Sequence, residues 1–155
     1  MDYFSLKSLH ILSSILLFGT GLGSAFYKYF SARIGNLAAI AVTNRLVVAA
    51  DWVFTAPTVI IQPITGILLL QKMGIAWQTP WVLLSLVLYV LAGSCWLPVV
   101  CLQIRMRDLS AQADENNENL SEAYHRYKRI WFWLGVPAFV CMVSIVGLMV
   151  FKPDF

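Results

Sequence analysis

Two side chains in this sequence are placed where they could do chemistry inside a hydrophobic background. Asp51 is one of eight acidic residues, and the other seven lie at the termini or between Asp108 and Glu122. It stands inside an apolar run, where an ionised carboxylate is costly unless it finds a cation or takes up a proton. His10 lies near the start of the first apolar run, one helical turn after Lys7. An imidazole with one free ring nitrogen can serve as an axial ligand to haem iron. The structural alternative is a histidine bonded to a carbonyl or to Gln62.

The element that must position Asp51 is the stretch NRLVVAADWVFTAPTVIIQPITGILLL, residues 44–70. Stepping along it at helical spacing gives Asn44, Val48, Asp51, Thr55, Thr58, Gln62 and Thr65. At about 100° per residue these fall within about 60° of one direction. A polar stripe cannot face lipid, so it should face other helices or a small wet cavity. Arg45 lies off the stripe and is a poor intrahelical partner for Asp51. Arg105 or Arg107, at the end of the third apolar run, is the expected partner, and a structural salt bridge is the alternative to a functional role. Pro57 and Pro63 remove internal hydrogen bonds and each free a carbonyl about one turn earlier, so this helix should be irregular near Gln62.

Composition gives the surroundings. The 155 residues are 59% hydrophobic and 12% charged, with a mean hydropathy of +0.73. A soluble domain is typically about 25% charged, so this is a membrane composition. Four apolar segments, at about residues 6–29, 44–70, 81–104 and 130–151, each suffice to cross a hydrocarbon core of about 30 Å. The first is too long for the h-region of a signal peptide and reads as a retained helix. The expectation is an all-α, four-helix transmembrane bundle forming a single domain over residues 1–155. Gly35-Asn36 offers a turn and an N-cap, so the second helix has a potential start at Leu37. The third helix carries its own polar face at Ser85, Tyr89, Trp96 and Gln103. Residues 106–129 are polar and mixed in charge, and read as a solvated loop with helical extensions on both sides of a turn near Asn116-Asn117.

The connections after segments one and three, with their helix ends, carry Lys28, Arg33, Arg45, Arg105, Arg107, Arg126, Lys128 and Arg129, against Lys7, Lys72 and Lys152 at the opposite side. The positive-inside rule then puts both termini on the outer, periplasmic side and residues 106–129 in the cytoplasm. Gly19 and Gly23 have the spacing that lets two helices approach closely, which suits a homodimer or a larger membrane complex. The net charge of +3 comes from segment ends, and without a basic face carrying interleaved aromatics it gives no sign of nucleic acid binding. Cys95, Cys101 and Cys141 have the spacing of neither a zinc site nor a disulfide framework. Soluble-enzyme motifs such as a P-loop, a Rossmann glycine pattern, CxxC or GxSxG are absent.

The strings LKSLHILSSILLFGTGLGSAF, RLVVAADWVFTAPTVIIQPITGILL, LAGSCWLPVVCLQIRMRDL and RIWFWLGVPAF, with a closing MVFKP, resemble the bacterial predicted integral membrane family named domain of unknown function 2269. That resemblance implies a four-helix protein of the bacterial inner membrane with no assigned activity. A more distant likeness, through Lys7-x-x-His10, is to copper-resistance D-like proteins and the membrane-bound haem-b protoporphyrinogen oxidases. It implies a haem-associated role for His10 alone. Those oxidases have an LPR-type motif after the first helix, where this chain reads FYKYFSAR, and a basic residue at the start of helix three, where it has Trp81.

Three functional expectations follow. The first is a haem-b-binding or redox-associated membrane protein, with His10 as axial ligand and Lys7 and Gln62 beside it. The second is a small proton or solute transport protein centred on Asp51, with Thr55, Thr58, Trp96, Gln103, Arg45 and Arg105 as further candidates. The third is a non-enzymatic subunit or assembly factor of a membrane complex.

Overall fold

A computed structural model describes residues 2–153. The chain forms four helices, α1 (Tyr3–Ile34), α2 (Leu37–Met73), α3 (Pro80–Asn116) and α4 (Glu122–Phe151), and no strand occurs among the described residues. They contain 32, 37, 37 and 30 residues. At 1.5 Å per residue that is about 45–55 Å each, more than a hydrocarbon core of about 30 Å requires. All four are apolar enough to cross a membrane.

Local chemistry explains where the helices stop. Asp2 accepts a hydrogen bond from the Ser5 N–H (2.9 Å) and opens α1. Gly35 ends it at φ 75°, a left-handed conformation that glycine takes without strain. Asn36 then accepts from the Ala39 N–H (3.0 Å) and starts α2. A two-residue turn thus replaces the longer connection that the apolar pattern suggests, and α1 continues past residue 29 to Ile34. Gly74, at φ 66°, closes α2. Pro80 sits in the first turn of α3, where its missing N–H costs nothing. Much of the polar stretch 106–129 is helical. α3 runs on to Asn116 and α4 begins at Glu122, capped by Ser121. The helical extensions expected on both sides of Asn116-Asn117 are present, and the connection is confined to residues 117–121; charged residues are as compatible with a helical extension as with a solvated loop.

α2 is one continuous helix, but it opens into a π-helical turn over Asp51–Thr55, where the Ala56 N–H bonds to the Asp51 carbonyl. Pro57 has no N–H, and its ring crowds the carbonyl four residues back; the wide turn just before it relieves that crowding. Helical geometry then continues through Pro63.

Backbone packing follows chain order. α1 lies on α2, α2 on α3, and α3 most extensively on α4. α1 and α4 meet through side chains, including Phe18 and Phe139 with ring centroids 6.2 Å apart. Ile40, Val99, Met106, Tyr124 and Trp131 form the core at the end of the bundle that carries the α1–α2 and α3–α4 turns. This is called the basic end below, and the other the terminal end. Side chains such as Leu12, Ile15, Leu46, Val87, Val90 and Val150 point outward, the arrangement a bilayer favours.

Candidate functional site

The stripe read from the sequence is the buried face of α2. Asn44, Val48, Asp51, Thr55, Thr58, Gln62 and Thr65 are all buried. They build three polar levels between the two ends of the bundle.

At the terminal end, α1 and α2 are joined around His10. Its Nδ1 lies 2.7 Å from Thr65 Oγ1. The Thr65 hydroxyl has a single hydrogen, used on the Ile61 carbonyl at 2.7 Å, so it accepts from the His10 Nδ1–H. Nε2 is then the free lone pair. The Gln62 amide donates towards the His10 carbonyl (3.0 Å), Ser13 Oγ (3.0 Å) and Ser14 Oγ (2.7 Å). Gly66 lies against the imidazole: a Cβ there would be 3.4 Å from His10 Cε1. Lys7 is not part of this network. It is exposed, with Nζ 5.8 Å from the Tyr3 ring centroid. His10 has the second-nitrogen bond that metal-ligating histidines use, but neither cavity described below is lined by it. No group of three His, Cys, Asp or Glu residues able to hold a metal ion occurs among the described residues.

The middle level is the most unusual part of the molecule. Asp51 sits at the start of the π turn, and its Oδ1 accepts from Thr55 Oγ1 at 3.0 Å. Its Oδ2 has no partner, and neither do Lys28 Nζ, Gln103 Oε1 and Trp131 Nε1. These four residues come from four different helices, and Lys28, Asp51 and Gln103 are only 2%, 6% and 4% exposed. Lys28 Nζ lies 4.8 Å from the Trp131 ring centroid. Gln103 faces the same cavity as Asp51. Lys28 and Asp51 do not form an ion pair; among the described residues only Arg107 and Asp108 do, at 2.7 Å.

Asp51, Gln103 and Trp131 line a cavity of about 400 Å³ that extends towards the terminal end. Phe18, Gly21, Tyr89, Gly93, Trp96 and Phe139 form much of its remaining wall. Lys28 stands one helical turn beyond Ala25, which also lines it. The Tyr89 hydroxyl donates to the Val59 carbonyl, the group that Pro63 leaves without its usual N–H.

The expected arginine partners of Asp51 are elsewhere. Arg105 is exposed, with its guanidinium 5.9 Å from the Tyr127 ring centroid, and Arg107 is held by Asp108. α3 extends well past residue 104, so these side chains lie on its outward-facing continuation instead of at a buried helix end. Arg45 is also exposed. Thr58 is buried, but its hydroxyl is committed to the Phe54 (2.7 Å) and Thr55 (2.9 Å) carbonyls. Trp96 is half-buried.

At the basic end Asn44 donates to Ser110 Oγ (3.0 Å) and to the Tyr124 hydroxyl (3.1 Å), locking α2 to α3 and α4. Gly19 and Gly23 line a second, more open groove of about 620 Å³ between α1 and α2; a Cβ added at either would meet nothing within 4 Å.

Lys28 and Trp131 are the residues that sequence reasoning missed. A signal for Lys28 was present: the α1 face His10, Ser14, Leu17, Gly21, Ser24 reaches Lys28 in one further helical step.

A family model described as predicted integral membrane protein (DUF2269) matches residues 4–153. No curated protein and no solved structure matches the chain.

Proposed function

Because the chain belongs to the DUF2269 family of predicted integral membrane proteins, we propose that it works within the bilayer as a small binding or transport protein for an amphipathic molecule held at Asp51. The polar end of that molecule lies among Lys28, Asp51, Gln103 and Trp131, and its apolar part in the adjoining cavity. The seam between α1 and α4, closed by side chains such as Phe18 and Phe139, is its route from the lipid. The protein acts in the bacterial inner membrane with its basic end in the cytoplasm.

One observation carries this reading. Three of the buried polar atoms without a partner belong to Asp51, Gln103 and Trp131, which line one cavity, and a fourth, Lys28 Nζ, lies over the Trp131 ring. A buried polar group left unpaired costs about 1–3 kcal/mol, more when charged. Such groups are rare in folded proteins and call for an occupant. Donors and acceptors grouped in this way within a membrane interior are the chemistry of a polar-ligand site. A proton wire along the stripe is the less favoured form of transport, because the Thr58 and Thr65 hydroxyls point their hydrogens at backbone carbonyls.

Native mass spectrometry of the protein in nanodiscs tests the proposal. Wild type is expected to retain a non-covalent small-molecule adduct that Asp51→Asn and Gly93→Phe lose and His10→Ala keeps. An adduct lost only in His10→Ala would move the site to the terminal end. No adduct in any form would remove the binding reading.

A further inference from the structure

The four unpartnered atoms of the middle level are sorted by helix into donors and acceptors. The donors, Lys28 Nζ and the Trp131 Nε1–H, stand together on α1 and α4. The acceptors, Asp51 Oδ2 and Gln103 Oε1, belong to residues of α2 and α3 that line the same cavity. A lone anion would satisfy the donors, leave the acceptors bare and add net charge to a low-dielectric interior. A lone cation would do the converse. Both carry the desolvation penalty of an unmatched buried charge. A ligand with one charge of each sign satisfies both sides and keeps the site neutral.

Resting on the binding reading above, we propose that the ligand is a small zwitterion with an apolar side chain, of the kind a hydrophobic α-amino acid presents. Its carboxylate lies between Lys28 Nζ and the Trp131 N–H. Its ammonium lies between Asp51 Oδ2 and Gln103 Oε1, and its side chain enters the aromatic part of the cavity. A volume of about 400 Å³ is near the lower end for ligand sites, about 300–1,000 Å³, and suits a single amino acid better than a two-tailed lipid. A phosphatidylethanolamine headgroup carries the same pair of charges, so the two sources have to be separated by experiment.

The test is calorimetric titration of the full-length protein in nanodiscs of phosphatidylcholine and phosphatidylglycerol, with three ligands. Phenylalanine carries both charges, 3-phenylpropionate only the anion and phenethylamine only the cation. Wild type is expected to bind phenylalanine about tenfold or more tightly than either half, since each half forfeits hydrogen bonds to a charged group. Lys28→Met should erase the advantage over phenethylamine, and Asp51→Asn the advantage over phenylpropionate. Trp131→Phe keeps the ring beneath Lys28 but removes the N–H. It supplies a milder loss in a protein expected to fold even where the charge variants do not. Equal affinity of wild type for all three ligands, or phenylalanine binding unchanged in Lys28→Met, overturns the zwitterion. So does failure of phenylalanine to bind where phosphatidylethanolamine occupies the site and is lost in Asp51→Asn. A small-molecule adduct in native mass spectra together with no phenylalanine binding would reject the zwitterion while leaving the binding reading standing.

Discussion

Pro63 has no N–H to offer Val59, and the carbonyl it frees is taken by the hydroxyl of Tyr89 on the neighbouring helix. One proline in α2 thus creates the acceptor that a side chain of α3 satisfies. Tyr89→Phe is expected to cost about 1–2 kcal/mol, the price of an unpaired buried carbonyl. In a Pro63→Ala background the restored N–H at residue 63 reaches Val59, and Tyr89→Phe should then cost much less. A double-mutant cycle by denaturant titration in detergent measures the coupling; additive effects would mean that the two residues act separately. The sequence makes half of this pair legible. Proline chemistry places the orphan carbonyl about one turn before Pro63, and periodicity puts Tyr89 on a polar face. That these two meet is tertiary information. Lys28 is legible in the same partial way. Helical spacing puts it on the face of His10, Ser14, Gly21 and Ser24, but that this face meets Trp131 of α4 is again tertiary information.

At the scale of the element, the π turn over Asp51–Thr55 is one residue added to an otherwise regular α2. Asn44 and Val48 before it and Thr58, Gln62 and Thr65 after it are all buried, so both flanking halves are seated against their neighbours. Deleting Val53, which is exposed, should turn the wide turn into an ordinary one with both halves still seated. Inserting an alanine between Val53 and Phe54 should instead rotate everything beyond it by about 100°, pulling Gln62 and Thr65 away from Ser13, Ser14 and His10. The deletion is expected to give a monodisperse protein by size exclusion that has lost the adduct, because Asp51 has moved. The insertion is expected to aggregate. A deletion variant that keeps the adduct would show that the π turn does not position Asp51. The sequence points to an irregular α2 through Pro57 and Pro63, but it places the irregularity near Gln62. Steric crowding by Pro57 acts upstream of the proline, and only the packing of α2 against α1 and α3 decides whether the relief is a kink or a widened turn.

For the whole molecule, the distribution of charge predicts the direction in which this asymmetric bundle should sit. Lys28 is buried at the middle level, so it no longer counts among the flanking cations. Arg33, Arg45, Arg105, Arg107, Arg126, Lys128 and Arg129 remain near the basic end, against Lys7, Lys72 and Lys152 near the terminal end. The imbalance survives the correction because it rests on short connections close to the helix ends, where the positive-inside rule operates. Alkaline phosphatase fused after residue 155 should therefore be active in a bacterial host, and inactive when inserted at Asn117. A fluorescent protein that matures only in the cytoplasm should report the reverse. The orientation bears on the site. Asp51 lies 14 residues into a helix that begins at Leu37 and has 37 residues, about 21 Å from its basic end. With that end in the cytoplasm, the charged cluster lies towards the inner leaflet, while the aromatic part of the cavity extends towards the outer side. A fluorescent fusion at residue 155 would invert this arrangement and make the periplasm the nearer compartment for the polar end of the ligand.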